Sequence, residues 1–290
     1  MSFIETLQFK AGEGNQLFVY FYGIIFSHKF NIPYIHPGIP SLEIKPTLHL
    51  KKSNEYPFKK INHYQEELKK EKIEKNTNYL LDYGFNPTIE NYKIFLPYFD
   101  FLKGHFNKIH NTIKKMPPTD LVYHLRAGDY LLVSNYEYLN ADKLKKLIDK
   151  IKYEKLYVVT NLKKHQKWTM EDLHNYRNFY LQHGDSGCHY IKSRLINQEE
   201  MKASLQNLNN LITVLNEHNA IWISDSILND FNTIKSFNKI IINVSTFSWW
   251  AAILSDAKEV YASENWKYLK GERNKNLPFV ELENWHAVDF

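Results

Sequence analysis

Leu121-Val122-Tyr123-His124-Leu125-Arg126-Ala127-Gly128-Asp129-Tyr130 is an apolar run that ends in a polar, glycine-containing turn. A short run of this kind predicts a strand buried on both faces. Leu144, Leu147, Ile148 and Ile151 then recur at helical spacing, and Leu156 to Val159 forms a second apolar run. Strand, amphipathic helix and strand in succession predict a βαβ unit. The alternation goes on through a helix with Leu205, Leu208, Leu211, Ile212 and Leu215, the strand Ile221-Trp222-Ile223, and the strand Ile240-Ile241-Ile242. A helix from Ser248 to Leu254 and a last strand, Val260-Tyr261-Ala262, complete it. The expectation is an α/β chain whose parallel sheet is covered by helices.

Upstream, Met116-Pro117-Pro118-Thr119 interrupts the pattern, because paired prolines continue neither a helix nor a central strand. This places a domain boundary there, giving domains 1–117 and 118–290. The first domain opens with a strand from Phe3 to Phe9, a glycine turn at Ala11 to Asn15, and a helix from Gln16 carrying Leu17, Tyr20, Phe21 and Ile24. Lys51 to Lys75 is charged, with a thin apolar stripe at Ile61, Tyr64, Leu68 and Ile73, and is expected to be a solvated surface helix.

Composition narrows the function classes. The 290 residues are 43% hydrophobic and 24% charged, which excludes wholesale disorder and fibrous classes and leaves room for a sizeable core. Lysine and arginine exceed aspartate and glutamate by 37 − 32 = 5, without a basic arm, so nucleic acid is not the expected partner. Cys188 is the only cysteine, so the chain can form no internal disulfide, and a reducing, cytoplasmic setting is expected. The apolar stretch Leu17 to Phe26 is broken by Gly23 and falls short of the roughly 18 residues of a membrane span, so neither span nor signal peptide is expected.

Three stretches carry candidate chemistry. His124, Arg126 and Asp129 lie where a parallel strand runs out, the edge at which open α/β sheets bind ligands. Arg126 can clamp a diphosphate bidentately, with His124 donating beside it and Asp129 orienting it; the same residues also suit a structural Arg–Asp pair. Gly12-Glu13-Gly14-Asn15-Gln16 offers close backbone approach and two amides near a helix start, or simply an amide-capped turn. Ser245-Thr246-Phe247-Ser248 opens a helix after a buried strand and offers hydroxyls and backbone N–H groups to a phosphate, or a hydroxyl cap. Trp249 and Trp250 behind it are expected in the core. No two aspartates stand two apart, so the Asp-x-Asp pair that holds a metal on many nucleotide sugars is absent.

Gly14-Asn15-Gln16-Leu17-Phe18, His124 to Tyr130 and Ser245 to Ala252, in this order, resemble the motifs of the α-1,2-fucosyltransferases of glycosyltransferase family 11. The resemblance implies a GT-B-like fold of two Rossmann-type domains facing a cleft. It also implies an inverting, metal-independent transfer of L-fucose from GDP-fucose to a hydroxyl of a glycan acceptor. By it Arg126 lies on the β-phosphate, His124 near the nucleotide, and Ser245, Thr246, Phe247 and Ser248 around the diphosphate. Gly14, Asn15 and Gln16 fall on the donor-binding side. Asn161 takes the place of an aspartate that receives guanine N–H donors, and Asp225 follows a later strand end. Two departures stand out: Ala127 replaces a second arginine, and Asn161 is an amide where the superfamily has a carboxylate. The general base is open among Asp129, Glu13 and Glu137. A transferase for another deoxysugar nucleotide and an inactive carbohydrate-binding homologue are the other readings of these residues.

Overall fold

A computed structural model describes residues 2–6, 12–47, 56–61, 64–81, 93–110, 113–127, 131–132, 140–162, 165–183, 195–243, 245–263 and 282–288. The chain divides into two compact units, Met1–Thr112 and Ile113–Phe290. Among the described residues no helix is long and apolar enough to cross a membrane.

In the first unit β1 (Ile4–Thr6) leads to α1 (Glu13–Phe30) and β2 (Tyr34–Ile35). Then come β3 (Phe58–Ile61), α2 (Tyr64–Lys69), β4 (Asn78–Leu81) and α3 (Phe99–Ile109). The strands pair in the order β2-β1-β4-β3, each pair parallel. Helix α1 buries Leu17 through Gly23 without a gap, as a helix apolar on all sides must. Glu13 in its first turn and Lys29 in its last oppose the helix dipole, and Asn31 ends it in the left-handed region at φ 51°. A side chain at Gly23 would put its Cβ 2.2 Å from Tyr34 Cζ, so glycine is what lets the Tyr34 ring lie against α1.

Two expectations for this unit change. The helix begins at Glu13, not Gln16, so Gly14 and Asn15 lie inside its first turn; β1 ends at Thr6, and residues 7–11 lie outside the described residues. The stretch Lys51 to Lys75 is not one solvated helix. It contains β3, paired in register with β4 from Phe58↔Asn78 to Ile61↔Leu81, and the stripe residues Ile61, Tyr64 and Leu68 are buried. In Phe58-Lys59-Lys60-Ile61 only Ile61 is buried, and one buried residue per short edge strand does not distinguish a period of two from a helical stripe.

The second unit runs β5 (Leu121–Leu125), α4 (Ala141–Lys150), β6 (Leu156–Thr160), α5 (Met170–His183), α6 (Gln198–Glu217) and β7 (Ile221–Ile223). It continues with α7 (Ile227–Lys235), β8 (Lys239–Ile241), α8 (Thr246–Ile253), β9 (Glu259–Ser263) and β10 (Trp285–Val288). The strand β10 extends the sheet past the strand expected to be its last. All pairs are parallel, in the order β7-β6-β5-β8-β9-β10. Numbered within the unit, that is 3-2-1-4-5-6, the doubly wound order of nucleotide-binding sheets.

Side chains alternate across β5. Leu121, Tyr123 and Leu125 join the core built with Leu144 and Ile148 of α4 and Leu208, Leu211 and Leu215 of α6. Val122 and His124 therefore face the other layer, where α7 packs on β5 and β6 and against α8. Trp249 and Trp250 are fully buried, as expected. Local signals fix the helix starts: the Asn140 side chain accepts from the backbone N–H groups of Asp142 and Lys143, and Asn197 with Glu200 forms a capping box at α6.

Candidate functional site

The sheet of the second unit reverses direction between β5 and β8, because the chain winds outward from β5 to β6 and β7 and then returns to β8 on β5's other side. Loops leaving the carboxyl ends of these two strands diverge, which opens a crevice. The β5 end supplies His124 and Arg126. The β8 end supplies Asn243, Ser245 and the start of α8. Two of the three stretches singled out in the sequence thus meet at the reversal.

His124 is 6% exposed, and burial together with the Arg126 guanidinium pushes its pKa down to about 3, so the ring is neutral at physiological pH. A neutral imidazole has one N–H donor and one acceptor nitrogen. Its Nδ1 is buried and has no hydrogen-bond partner among the described residues. Such an orphan costs about 1–3 kcal/mol unless something pairs with it. The ring is held by Phe247, with centroids 5.7 Å apart, and Phe247 in turn meets the buried Phe231 edge-on at 5.1 Å. Arg126 is half-buried at the same strand end.

Opposite, Ser245 is the N-cap of α8, yet its side chain makes no cap hydrogen bond. Of the two readings of this stretch, the hydroxyl cap at Ser245 is therefore absent, and the first-turn N–H groups, which have no partner within a helix, keep their affinity for an anion. Ser245 and Thr246 are buried, 4% and 7% exposed. Ser248 is different: it is fully buried and its hydroxyl donates to the Ser245 carbonyl at 3.2 Å, so it braces the turn from below. Asn243, which opens the stretch ahead of Ser245, is 3% exposed, and its Nδ2 lies 3.5 Å from the hydroxyl of Tyr123 in the middle of β5. Its signal in the sequence was its place directly after the isoleucine run.

Ala127 is fully buried in the core with Leu125, Leu131 and Leu132. An arginine there would have to bury its charge in an apolar cluster, so the single cation at this strand end follows from the packing. Asn161 follows β6 and is exposed at the same sheet edge, one strand from β5, with Leu125 paired to Thr160. Asp225 follows β7, two strands from β5 and so about 10 Å away across the sheet. Its oxygens accept from Ser226 N and Asn229 Nδ2, which makes it a brace for the start of α7. Asp129 and Glu137 lie outside the described residues.

Gly14, Asn15 and Gln16 belong to the first unit. Gly12 is the N-cap of α1, and the backbone N–H groups of Asn15 and Gln16 donate to its carbonyl. Gly14 is buried, while Glu13, Asn15 and Gln16 are half-buried. Gln16 borders a small hollow with Thr6, Tyr20, Tyr34 and His36.

Among curated proteins none matches the chain. Residues 208–288, from the second half of α6 through β10, match the model of glycosyl transferase family 11, and they include Ser245 to Ser248 at the reversal. The match covers under a third of the chain; over those residues, which carry four of the six strands of the doubly wound sheet and the uncapped start of α8, the chain is similar to glycosyl transferase family 11.

Proposed function

We propose that the chain transfers L-fucose from GDP-fucose to a hydroxyl of a carbohydrate acceptor, with inversion, an α-1,2 linkage and no metal. In this reading the protein has a GT-B organisation in which the second unit takes the donor. The observation that carries it is the convergence of Arg126, the neutral His124 and the uncapped start of α8 on the reversal of a 3-2-1-4-5-6 sheet. A diphosphate there would receive the guanidinium from one strand end and backbone N–H groups from the other.

The chemistry asked of these groups is specific. As the anomeric C–O bond to the diphosphate breaks and the acceptor oxygen closes on the opposite face, negative charge grows on the departing phosphate. A fixed cation and oriented N–H groups favour that charge more than they favour the ground state, which is the condition for lowering the barrier. The acceptor proton passes to a general base, for which Asp129, Glu13 and Glu137 stay the candidates. Asn161 at the edge of β6 would meet the base of the nucleotide, its amide oxygen accepting from guanine.

A thermal-shift comparison of GDP, UDP and dTDP tests the donor, since a ligand that binds only the folded state raises its stability. GDP is expected to raise the midpoint most. A larger rise with UDP or dTDP would assign another nucleotide sugar, and slow hydrolysis of GDP-fucose without acceptor would separate an enzyme from an inactive binding homologue.

A further inference from the structure

The chain leaves β6, at the ligand-binding edge of the second unit's sheet, through a turn that is fixed on both sides of Asn161. Thr160 and Leu162 are buried, while Asn161 between them is exposed. Thr160 Oγ1 accepts from the backbone N–H of Leu162 at 3.2 Å, which closes the turn around Asn161. The Leu162 carbonyl is taken by the ring of His165, whose Nε2 donates to it at 3.0 Å. A carbonyl only accepts, so in the neutral ring the proton sits on Nε2.

His165 is itself held from two directions. Its ring lies flat on the indole of Trp222, with planes 8° and centroids 4.9 Å apart. Trp222 is the middle residue of β7 and pairs with Val158 of β6, so this platform belongs to the sheet. One side chain of α6 then ties the platform to the His165 backbone. Asn216 Oδ1 accepts from Trp222 Nε1 at 2.9 Å, and its Nδ2 donates to the His165 carbonyl at 3.3 Å. An indole N–H only donates and a carbonyl only accepts, so the amide has a single orientation here. Two turns earlier on α6, Asn209 accepts from the Trp168 N–H at 2.7 Å and donates to the Trp168 carbonyl at 2.9 Å. Sheet and helix together thus set His165, and His165 sets Leu162 beside Asn161.

The residue framed in this way is an amide where the superfamily has a carboxylate. A carboxylate offers two equivalent acceptor oxygens, whereas an amide offers one and puts a donor in the other place. An asparagine that reads a base therefore needs a closer placement than an aspartate does. We propose that His165, seated on Trp222 and tied by Asn216, is a positioning residue that fixes the Asn161 turn and thereby sets the preference of the site among nucleotide bases. The inference rests on the transferase reading above, with Asn161 at the base.

The test titrates the full chain by calorimetry with GDP and with inorganic pyrophosphate, which has the diphosphate and no base. His165→Ala is expected to weaken GDP about fivefold and to leave pyrophosphate unchanged; KM for GDP-fucose should rise by the same factor at an unchanged kcat. His165→Gln carries an amide N–H close to the place of Nε2 and should recover most of that loss. Asn216→Ala alters only an exposed side chain of α6 and should weaken GDP about threefold, again without effect on pyrophosphate. In an Asn161→Ala background, His165→Ala should change GDP affinity no further, because a residue that acts through Asn161 has nothing left to position. Full GDP affinity in His165→Ala and Asn216→Ala, an equal loss of pyrophosphate, or a further fivefold loss in the double variant overturns the inference. Wild-type protein that binds UDP in preference to GDP removes the donor reading and the inference with it, a result distinct from GDP binding that His165→Ala leaves intact.

Discussion

Replacing His124 by phenylalanine separates what the residue does for the fold from what it does for a ligand. The side chain is 6% exposed, faces Phe247 and carries an unpartnered Nδ1, so a phenyl ring keeps the packing and removes the orphan atom. At pH 7.5 His124→Phe is expected to be about 1–2 kcal/mol more stable than wild type, the scale of an unsatisfied buried polar group. The sign of the pH effect follows from the depressed pKa, about 3 in the folded protein against about 6.5 unfolded. Between these values the unfolded chain binds a proton that the folded chain refuses, so this histidine's contribution is intact above pH 6.5 and is lost as the pH falls toward 3. At pH 5 the loss is about 1.36 × 1.5, or ~2 kcal/mol, and His124→Phe escapes it. The stability gap between the two proteins should therefore widen by about 2 kcal/mol from pH 7.5 to pH 5, as read by urea denaturation. GDP affinity by calorimetry should fall about tenfold, since a hydrogen bond to the ligand is gone. A variant less stable than wild type at pH 7.5, with a gap that does not change at pH 5 and full GDP affinity, would refute the reasoning and make His124 a structural residue.

Asn161→Asp should raise GDP affinity about fivefold, near 1 kcal/mol, because a charged acceptor strengthens bonds to the two guanine donors, and should leave UDP unchanged; calorimetry showing equal changes for both removes Asn161 from the base site. EDTA should leave the transfer rate as it was, and a strong loss restored by Mn²⁺ would reveal a metal requirement. Gly23→Ala should cost about 1–3 kcal/mol in denaturant unfolding, because its Cβ would stand 2.2 Å from the Tyr34 ring; an unchanged midpoint would show that the ring moves aside freely.

The doubly wound half was legible because its strands are continuous apolar runs and its helices have clean stripes; Leu121 to Leu125, Leu156 to Thr160 and the three isoleucines at 240–242 admit little else. The strand Trp285–Val288 was not, since Trp-His-Ala-Val carries no long apolar run and its residues His286 and Ala287 are exposed at the sheet edge. The strand Phe58–Ile61 hid in a lysine-rich stretch for the same reason. At the site, His124 and Arg126 were found from their position at a strand end, but strand order was not readable, so the sequence could not tell that Ser245 lies across the reversal from them while Asp225 lies two strands away. The hold on Asn161 escaped notice because His165, Asn216 and Trp222 come from three different elements, and each alone is an ordinary loop, helix or strand residue.

The central claim is that the sheet reversal of the second unit holds a departing nucleotide diphosphate, and the rate of Arg126→Ala on GDP-fucose tests it most directly. Arg126 is half-buried at a strand end and outside the apolar core, so the variant should unfold at the wild-type midpoint. Transfer should fall by about 10²–10³, some 3–4 kcal/mol, the scale of losing one preorganised group that stabilises transition-state charge. Turnover at the wild-type rate by a folded Arg126→Ala protein would contradict it.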